Sequence, residues 1–181
     1  ATKIISMVDK TEAEFSAIKD SLSGQIYIGS GETMAMSRIA DVACRLRREY
    51  PGIRYHLHSG NSQDVTERLD KGLLDFGILI QPADISKYDC LELPDKDVWG
   101  VIMPKNSPLA AKELIRRTDL LDVPLICSRQ VISPNRFENG FARWFGDYFD
   151  RLDIVTTYNL MYNAAIMVRA GMGYAITLDG L

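Results

Sequence analysis

Apolar and polar positions along the chain follow two periods in turn. Ile4, Ile5, Val8, Phe15 and Ile18 recur every three or four residues, which predicts an opening helix ended by Ser23-Gly24. Residues 25–29 read as a strand, followed by the turn Ser30-Gly31-Glu32-Thr33. A helix comes next, with Ile39, Ala43, Leu46 and Tyr50 on one face and Pro51-Gly52 as its stop. Residues 53–58 alternate apolar and polar, the period of a strand. Ser59-Gly60-Asn61 turns the chain. Asn61 or Ser62 then caps a helix that carries Asp64 in its first turn, buries Val65 and Leu69, and ends at Gly72. Residues 75–80 form an apolar strand.

This β-α-β-α-β order with short loops predicts a parallel sheet covered by helices on both faces, joined by right-handed crossovers. After Gln81-Pro82 the rhythm changes. Residues 90–93 and 98–103 read as two short strands around a Pro-Asp-Lys-Asp turn. Ser107-Pro108 starts a helix with proline at its first position. Residues 124–127 predict a strand, and Ser133-Pro134 leads into a long amphipathic helix with Phe137, Phe141, Trp144, Phe145 and Tyr148 along one side. A strand over 152–158, a helix from Leu160 to Gly171 and a strand over 174–178 complete a second α/β unit that begins near residue 98. The chain has no internal repeat and no low-complexity tract.

Composition narrows the function classes. The 181 residues are 46% hydrophobic and 25% charged, which excludes a disordered tail, a collagen-like repeat and a disulfide-dense mini-protein. No apolar run approaches the ~20 residues that cross a bilayer, so no membrane partner is expected. The 21 basic and 24 acidic residues leave a net charge of −3. Such a surface lacks the electrostatic footprint of a nucleic-acid binder, and any DNA contact is expected from a part outside this sequence. Cys44, Cys90 and Cys127 are odd in number and far apart, which points to a reducing compartment, and the simple expectation is a cytoplasmic protein.

The candidate chemistry sits where strands turn into helices. In the turn of Ser30, Gly31 and Thr33, backbone N–H groups face outward at a positive helix end, a geometry that holds anions. It partly matches GxGxxG, but Met34 takes the third glycine's place and the second strand ends His56-Leu57-His58 without an acid. Both features argue against a dinucleotide, and no cofactor is expected. The plain alternative is a tight turn whose Ser or Thr only caps the helix. Ser59, Gly60 and Asn61 form a similar turn at the next junction. Ser128-Arg129 follows a strand in the second unit, and Asn159 precedes a helix there. Ligands of open α/β sheets sit outside the carboxyl ends of the strands, so these four turns are expected to converge on a cleft. Ser and Asn donors suit a carboxylate or other small polar group, and Arg129 would add a charge-assisted bond unless it serves in a surface or interlobe ion pair. His56 and His58 share a strand face without a third ligand, so no metal is expected. Cys127 adjoins the expected cleft but reads as an inert small hydrophobe. No catalytic triad or Cys/His pair stands out, and no enzyme activity is expected.

Taken together, LSGQIYIGSGET, LRREYPGIRYHLHSGNSQDVTERLDKGLLDFGILI, WGVIMPKNSPLA and VRAGMGYAI, in this order and spacing, resemble the effector-binding domain of LysR-type transcriptional regulators from about Leu22 to Leu181. The resemblance implies an α/β fold of the type II periplasmic-binding-protein kind, two Rossmann-like lobes with a ligand cleft between them. It assigns residues 1–22 to the remnant of a linker helix, 23–97 to the first lobe and 98–181 to the second. It implies effector contacts from Ser30, from the turn of Ser59, Gly60 and Asn61, and from Ser128 and Asn159. Ile80 falls where family members often place a polar or basic residue, and Glu32 would oppose a doubly anionic ligand unless it points away or meets an amine. The implied partners are a small-molecule effector, one or three further copies in a homodimer or homotetramer, and DNA through an N-terminal helix-turn-helix outside this sequence. The family also returns to the first lobe with a further strand and helix, so the first sheet is expected to lack a strand. A transporter's solute-binding protein and a small enzyme of the same fold are the alternative readings.

Overall fold

The structure is a computed structural model that describes residues 22–132 and 140–180. The predicted opening helix and Phe137 lie outside those residues. Strand β1 (Ser23–Ser30) leads into helix α1 (Met36–Glu49), strand β2 (Gly52–Ser59), helix α2 (Ser62–Asp70) and strand β3 (Phe76–Ile78). β1 lies between the other two and pairs parallel with each, in register from Ser23 opposite Gly52 to Ser30 opposite both Ser59 and Ile78. The carboxyl ends of all three strands therefore lie side by side.

The predicted inward face of α1 is the observed one. Ile39, Ala43, Leu46 and Tyr50 are half-buried, whereas their neighbours on the helix are mostly exposed. Tyr50 N–H closes on the Leu46 carbonyl just before Pro51. α2 packs more tightly, because two glycines let it approach. A Cβ on Gly29 would come within 2.5 Å of Leu74 Cδ1 and 2.9 Å of Val65 Cγ1. A Cβ on Gly77 would meet Leu69 Cδ1 at 2.8 Å. Val65 is fully buried as a result.

The second sheet contains β4 (Trp99–Ile102), β5 (Leu125–Ser128), β6 (Ile154–Tyr158) and β7 (Tyr174–Leu178), in the order β4-β7-β5-β6. β5 runs parallel to β6 and β7, while β4 is antiparallel to β7. Helix α3 (Gly140–Phe145) and helix α4 (Met161–Arg169) accompany it. Phe141, Phe145, Leu120, Leu125 and Cys127, none more than 1% exposed, form the centre of the core on one side. The Phe141 and Phe145 rings meet edge to face at 5.0 Å.

Three expected elements differ. Residues 90–93 form no strand: Leu91 is 86% exposed, and the segment has neither a ladder partner nor a face to bury. What ties this connection down is side-chain pairing. Asp95 meets Arg38, and Thr33 Oγ1 donates to Asp97 Oδ1 at 2.8 Å. The helix at Ser107-Pro108 is a single 3₁₀ turn (Pro108–Ala111), with Ser107 Oγ accepting the Leu109 N–H at 3.2 Å. The long aromatic helix is also shorter. Gly146, at φ 58°, ends α3, and the chain continues as a 3₁₀ turn (Gly146–Arg151).

Candidate functional site

The carboxyl edges of the two sheets face each other across a narrow cleft. From the first sheet come Gly31, Glu32, Asn61, Ser62, Ile80 and Gln81. From the second come Ser128 and Gln130 after β5, Tyr158, Asn159 and Met161 around the start of α4, and Thr177 with Trp99 from β7 and β4. The cleft volume is about 60 Å³. That is well below the roughly 300–1,000 Å³ of pockets that hold a drug-sized ligand, so the sheets must part to admit one.

Among the described residues two side chains bridge the cleft, one from each sheet. Gln130 reaches into the first lobe, where its Nε2 donates to the carbonyls of Ile80 at 2.5 Å and Pro82 at 2.8 Å. Its Oε1 lies 3.5 Å from the Ser62 N–H. Ser62 Oγ donates to the same Ile80 carbonyl at 2.9 Å, so this loop is held twice. Glu32 reaches the other way, and its carboxylate accepts the Met161 backbone N–H at the first residue of α4. An anionic group at a helix N-terminus is stabilised both by that hydrogen bond and by the macrodipole.

Of the ten residues named from the sequence, Gly31, Asn61, Ile80, Ser128 and Asn159 line the cleft. Asn61 caps α2 in a reciprocal box: its Oδ1 accepts Asp64 N–H at 2.9 Å, and Asp64 Oδ2 accepts Asn61 N–H at 3.1 Å. The cap uses the carboxamide oxygen and not the Nδ2 donors, which remain chemically suited to a ligand. Ser128 Oγ accepts the Gln130 N–H at 3.4 Å, and Asn159 Oδ1 accepts the Leu160 N–H at 3.0 Å.

The other five do not line the cleft. Ser30 Oγ donates to the Gly31 carbonyl at 2.7 Å. Thr33 is buried, accepts the Ala35 N–H at 3.1 Å in the turn before α1 and donates to Asp97. Ser59 is exposed, and buried Gly60 donates its N–H to the Ser30 carbonyl at 3.0 Å. Arg129 is exposed, with its backbone N–H on the Tyr158 carbonyl at 2.8 Å.

Burial pushes the Tyr158 phenol up to about 12, and the nearby Glu32 charge adds to the rise. Tyr158 is thus a neutral donor, and its hydroxyl bonds the Ile176 carbonyl at 2.6 Å. Burial likewise pushes the Cys127 thiol up to about 12, so it is no nucleophile. Its side chain packs in the core and does not line the cleft. His56 stacks on Tyr27 at 4.6 Å. Among the described residues no group of three or more His, Cys, Asp or Glu is placed to hold a metal, and no helix is long and apolar enough to cross a membrane.

Comparison with known proteins places this architecture. The model of the LysR substrate binding domain matches residues 19–180. The chain belongs to this family. A curated relative, the uncharacterized HTH-type transcriptional regulator YvbU of Bacillus subtilis (strain 168), is 28% identical over 176 residues, which are 96% of this chain and 57% of that protein. The chain therefore spans little more than half of the regulator it matches. The crystal structure of HinK, a LysR family transcriptional regulator from Pseudomonas aeruginosa, superposes with a TM-score of 0.65 at 21% identity, covering 99% of this chain and 60% of that one. The effector binding domain of QuiR in complex with shikimate superposes at 0.64 and 19% identity, covering 87% of this chain and 75% of that one. The fold is the one that the resemblance implied, α/β with two mostly parallel sheets.

Sequence reasoning passed over Gln130, Gln81, Trp99, Tyr158 and Thr177 as cleft residues. Gln130 adjoins Arg129, and nothing local tells which of two neighbouring polar residues in a turn faces the gap. Tyr158 and Thr177 carried a signal: both stand within one residue of the end of a predicted parallel strand, where ligands of α/β sheets are met.

Proposed function

We propose that this chain is the sensing domain of a LysR-type transcriptional regulator, and that a small metabolite enters the cleft between its lobes. The observation that carries this reading is the convergence of Asn61, Gln81, Ser128, Asn159 and Thr177, from two different sheets, on one gap bridged by the side chains of Gln130 and Glu32. A ligand that binds the open or the re-closed arrangement more tightly shifts the population of lobe orientations. In a homodimer or homotetramer held by these domains, that shift changes the spacing of attached DNA-binding heads, which couples effector to operator. The protein works in the cytoplasm, and DNA is met through an N-terminal part and not by this chain, whose net charge is −3. The relatives' description as transcriptional regulators and the shikimate complex of QuiR support the reading.

Thermal-shift screening of small polar metabolites tests it. A ligand at 100-fold its dissociation constant adds about 2.7 kcal/mol, which raises Tm by roughly 5–10 °C for a chain of this size. Ser128→Ala and Asn159→Ala are expected to reduce that shift. A shift left intact by both variants would place the ligand outside the cleft.

A further inference from the structure

The charges around the cleft are unevenly distributed. Among the described lining residues Glu32 is the one acidic side chain, and none is Lys, Arg or His. The remaining polar side chains are neutral: carboxamides of Asn61, Gln81, Gln130 and Asn159, and hydroxyls of Ser62, Ser128, Tyr158 and Thr177.

Two donors that an acid could use at α4 are already engaged. The first N–H groups of a helix are ordered donors, and those of α4 open onto the gap. Leu160 N–H is held by Asn159 Oδ1 and Met161 N–H by the Glu32 carboxylate. An anionic effector would have to evict Glu32 and then lie beside the displaced charge, a like-charge contact that screening relieves little in a partly buried site. A cation has no such obstacle. A carboxylate has about four acceptor sites on two oxygens, so Glu32 can keep the Met161 N–H on one oxygen and offer the other. Trp99 and Tyr158 supply aromatic surface to the same cleft, which also favours a cationic group.

We propose that the cleft selects a small molecule bearing an ammonium group and that Glu32 receives it, making Glu32 the residue that decides between amines and organic acids. This rests on the cleft being the effector site. Isotope-labelled chain titrated with benzylamine, benzyl alcohol and benzoate, alike in size and different in charge, tests both statements separately. Benzylamine is expected to move the Gly31 and Met161 amide resonances and to bind at least about tenfold more tightly than benzoate, a difference of about 1.4 kcal/mol. Glu32→Gln keeps an acceptor for Met161 N–H and removes the charge; with an unchanged near-ultraviolet circular dichroism spectrum it is expected to erase most of that preference. Glu92→Gln, which removes an exposed carboxylate outside the cleft, is expected to retain it. Tighter binding of benzoate, equal binding of all three at the cleft amides, a preference that survives Glu32→Gln, or one lost in Glu92→Gln would each overturn the amine assignment and leave the sensor reading standing. Failure of all three to move the cleft amides at millimolar concentration would remove the cleft as an effector site, and the assignment with it.

Discussion

Gln130 Nε2 lies 2.5 Å from the Ile80 carbonyl, and this contact joins the end of the first sheet to the turn after β5 in the second. Together with the bond to Pro82 it makes Gln130 a strap across the cleft. Two neutral hydrogen bonds of this kind are worth about 1–2 kcal/mol together. Gln130→Ala is therefore expected to lower stability by about that amount in urea unfolding, with an unchanged denaturant slope. Small-angle scattering should record a larger radius of gyration, because the lobes are freed to part. A variant as stable and as compact as the parent would show that the strap does not hold the lobes.

Close approach of α2 to the first sheet depends on Gly29. Its missing side chain leaves room for Leu74 and Val65, which a Cβ would meet at 2.5 and 2.9 Å. Gly29→Ala is expected to cost about 1–3 kcal/mol, as overpacking in a filled core does. Gly24, in the same strand, is exposed, and a Cβ there would have no atom of the described residues within 4 Å. Gly24→Ala is expected to stay within about 0.5 kcal/mol of the parent. Chemical denaturation of the pair checks the contrast.

Asn61 both caps α2 and lines the cleft. Asn61→Ala removes the side-chain acceptor for Asp64 N–H and is expected to cost about 0.5–2 kcal/mol. Asn61→Asp keeps the acceptor and should retain most of that stability. Equal melting temperatures for the alanine and aspartate variants would deny the cap its role.

The thiols separate by burial. Cys44 and Cys90 are exposed and Cys127 is buried. At pH 8 a disulfide-exchange reagent is expected to react readily with the first two and with Cys127 only after denaturant is added. Rapid labelling of Cys127 in the folded chain would contradict the packing of β5.

Alkaline stability follows from Cys127 and Tyr158. Burial raises both from ordinary values of 9.0 and 10.0 to about 12. Above pH 9 the unfolded chain releases these protons while the folded chain keeps them. The stabilisation is therefore complete below pH 9 and is lost progressively as pH rises toward 12. Unfolding free energy should fall across that window, and Cys127→Ala should flatten its lower part. A flat profile from pH 9 to 11 in the parent would overturn the assignment.

Much of the fold was legible because local periodicity and turn chemistry agree with the tertiary arrangement. β7 occupies residues 174–178 as read, and Asn61, one of the two residues read as the cap, caps α2. Where reading failed, the missing information was a neighbour. The Leu-Glu-Leu run at 91–93 has a strand's alternation, yet among the described residues no strand lies beside it to complete a ladder. The aromatic stripe read over 137–148 has a helix's spacing, yet in its described part Gly146 takes a positive φ that ends α3.

The cleft divides in the same way. Alternation of strand and helix, with small polar turns between them, was enough to put ligand chemistry at the carboxyl edges of two sheets, because parallel pairing aligns those edges whatever the side chains do. Which residue of each turn looks into the gap was decided by packing. Gln130 crosses while Arg129 stays exposed, and Thr33 turns to Asp97 while Glu32 spans to Met161. These choices depend on contacts between residues as far apart as Glu32 and Met161, which meet only when both sheets are assembled, and no window of sequence contains both partners.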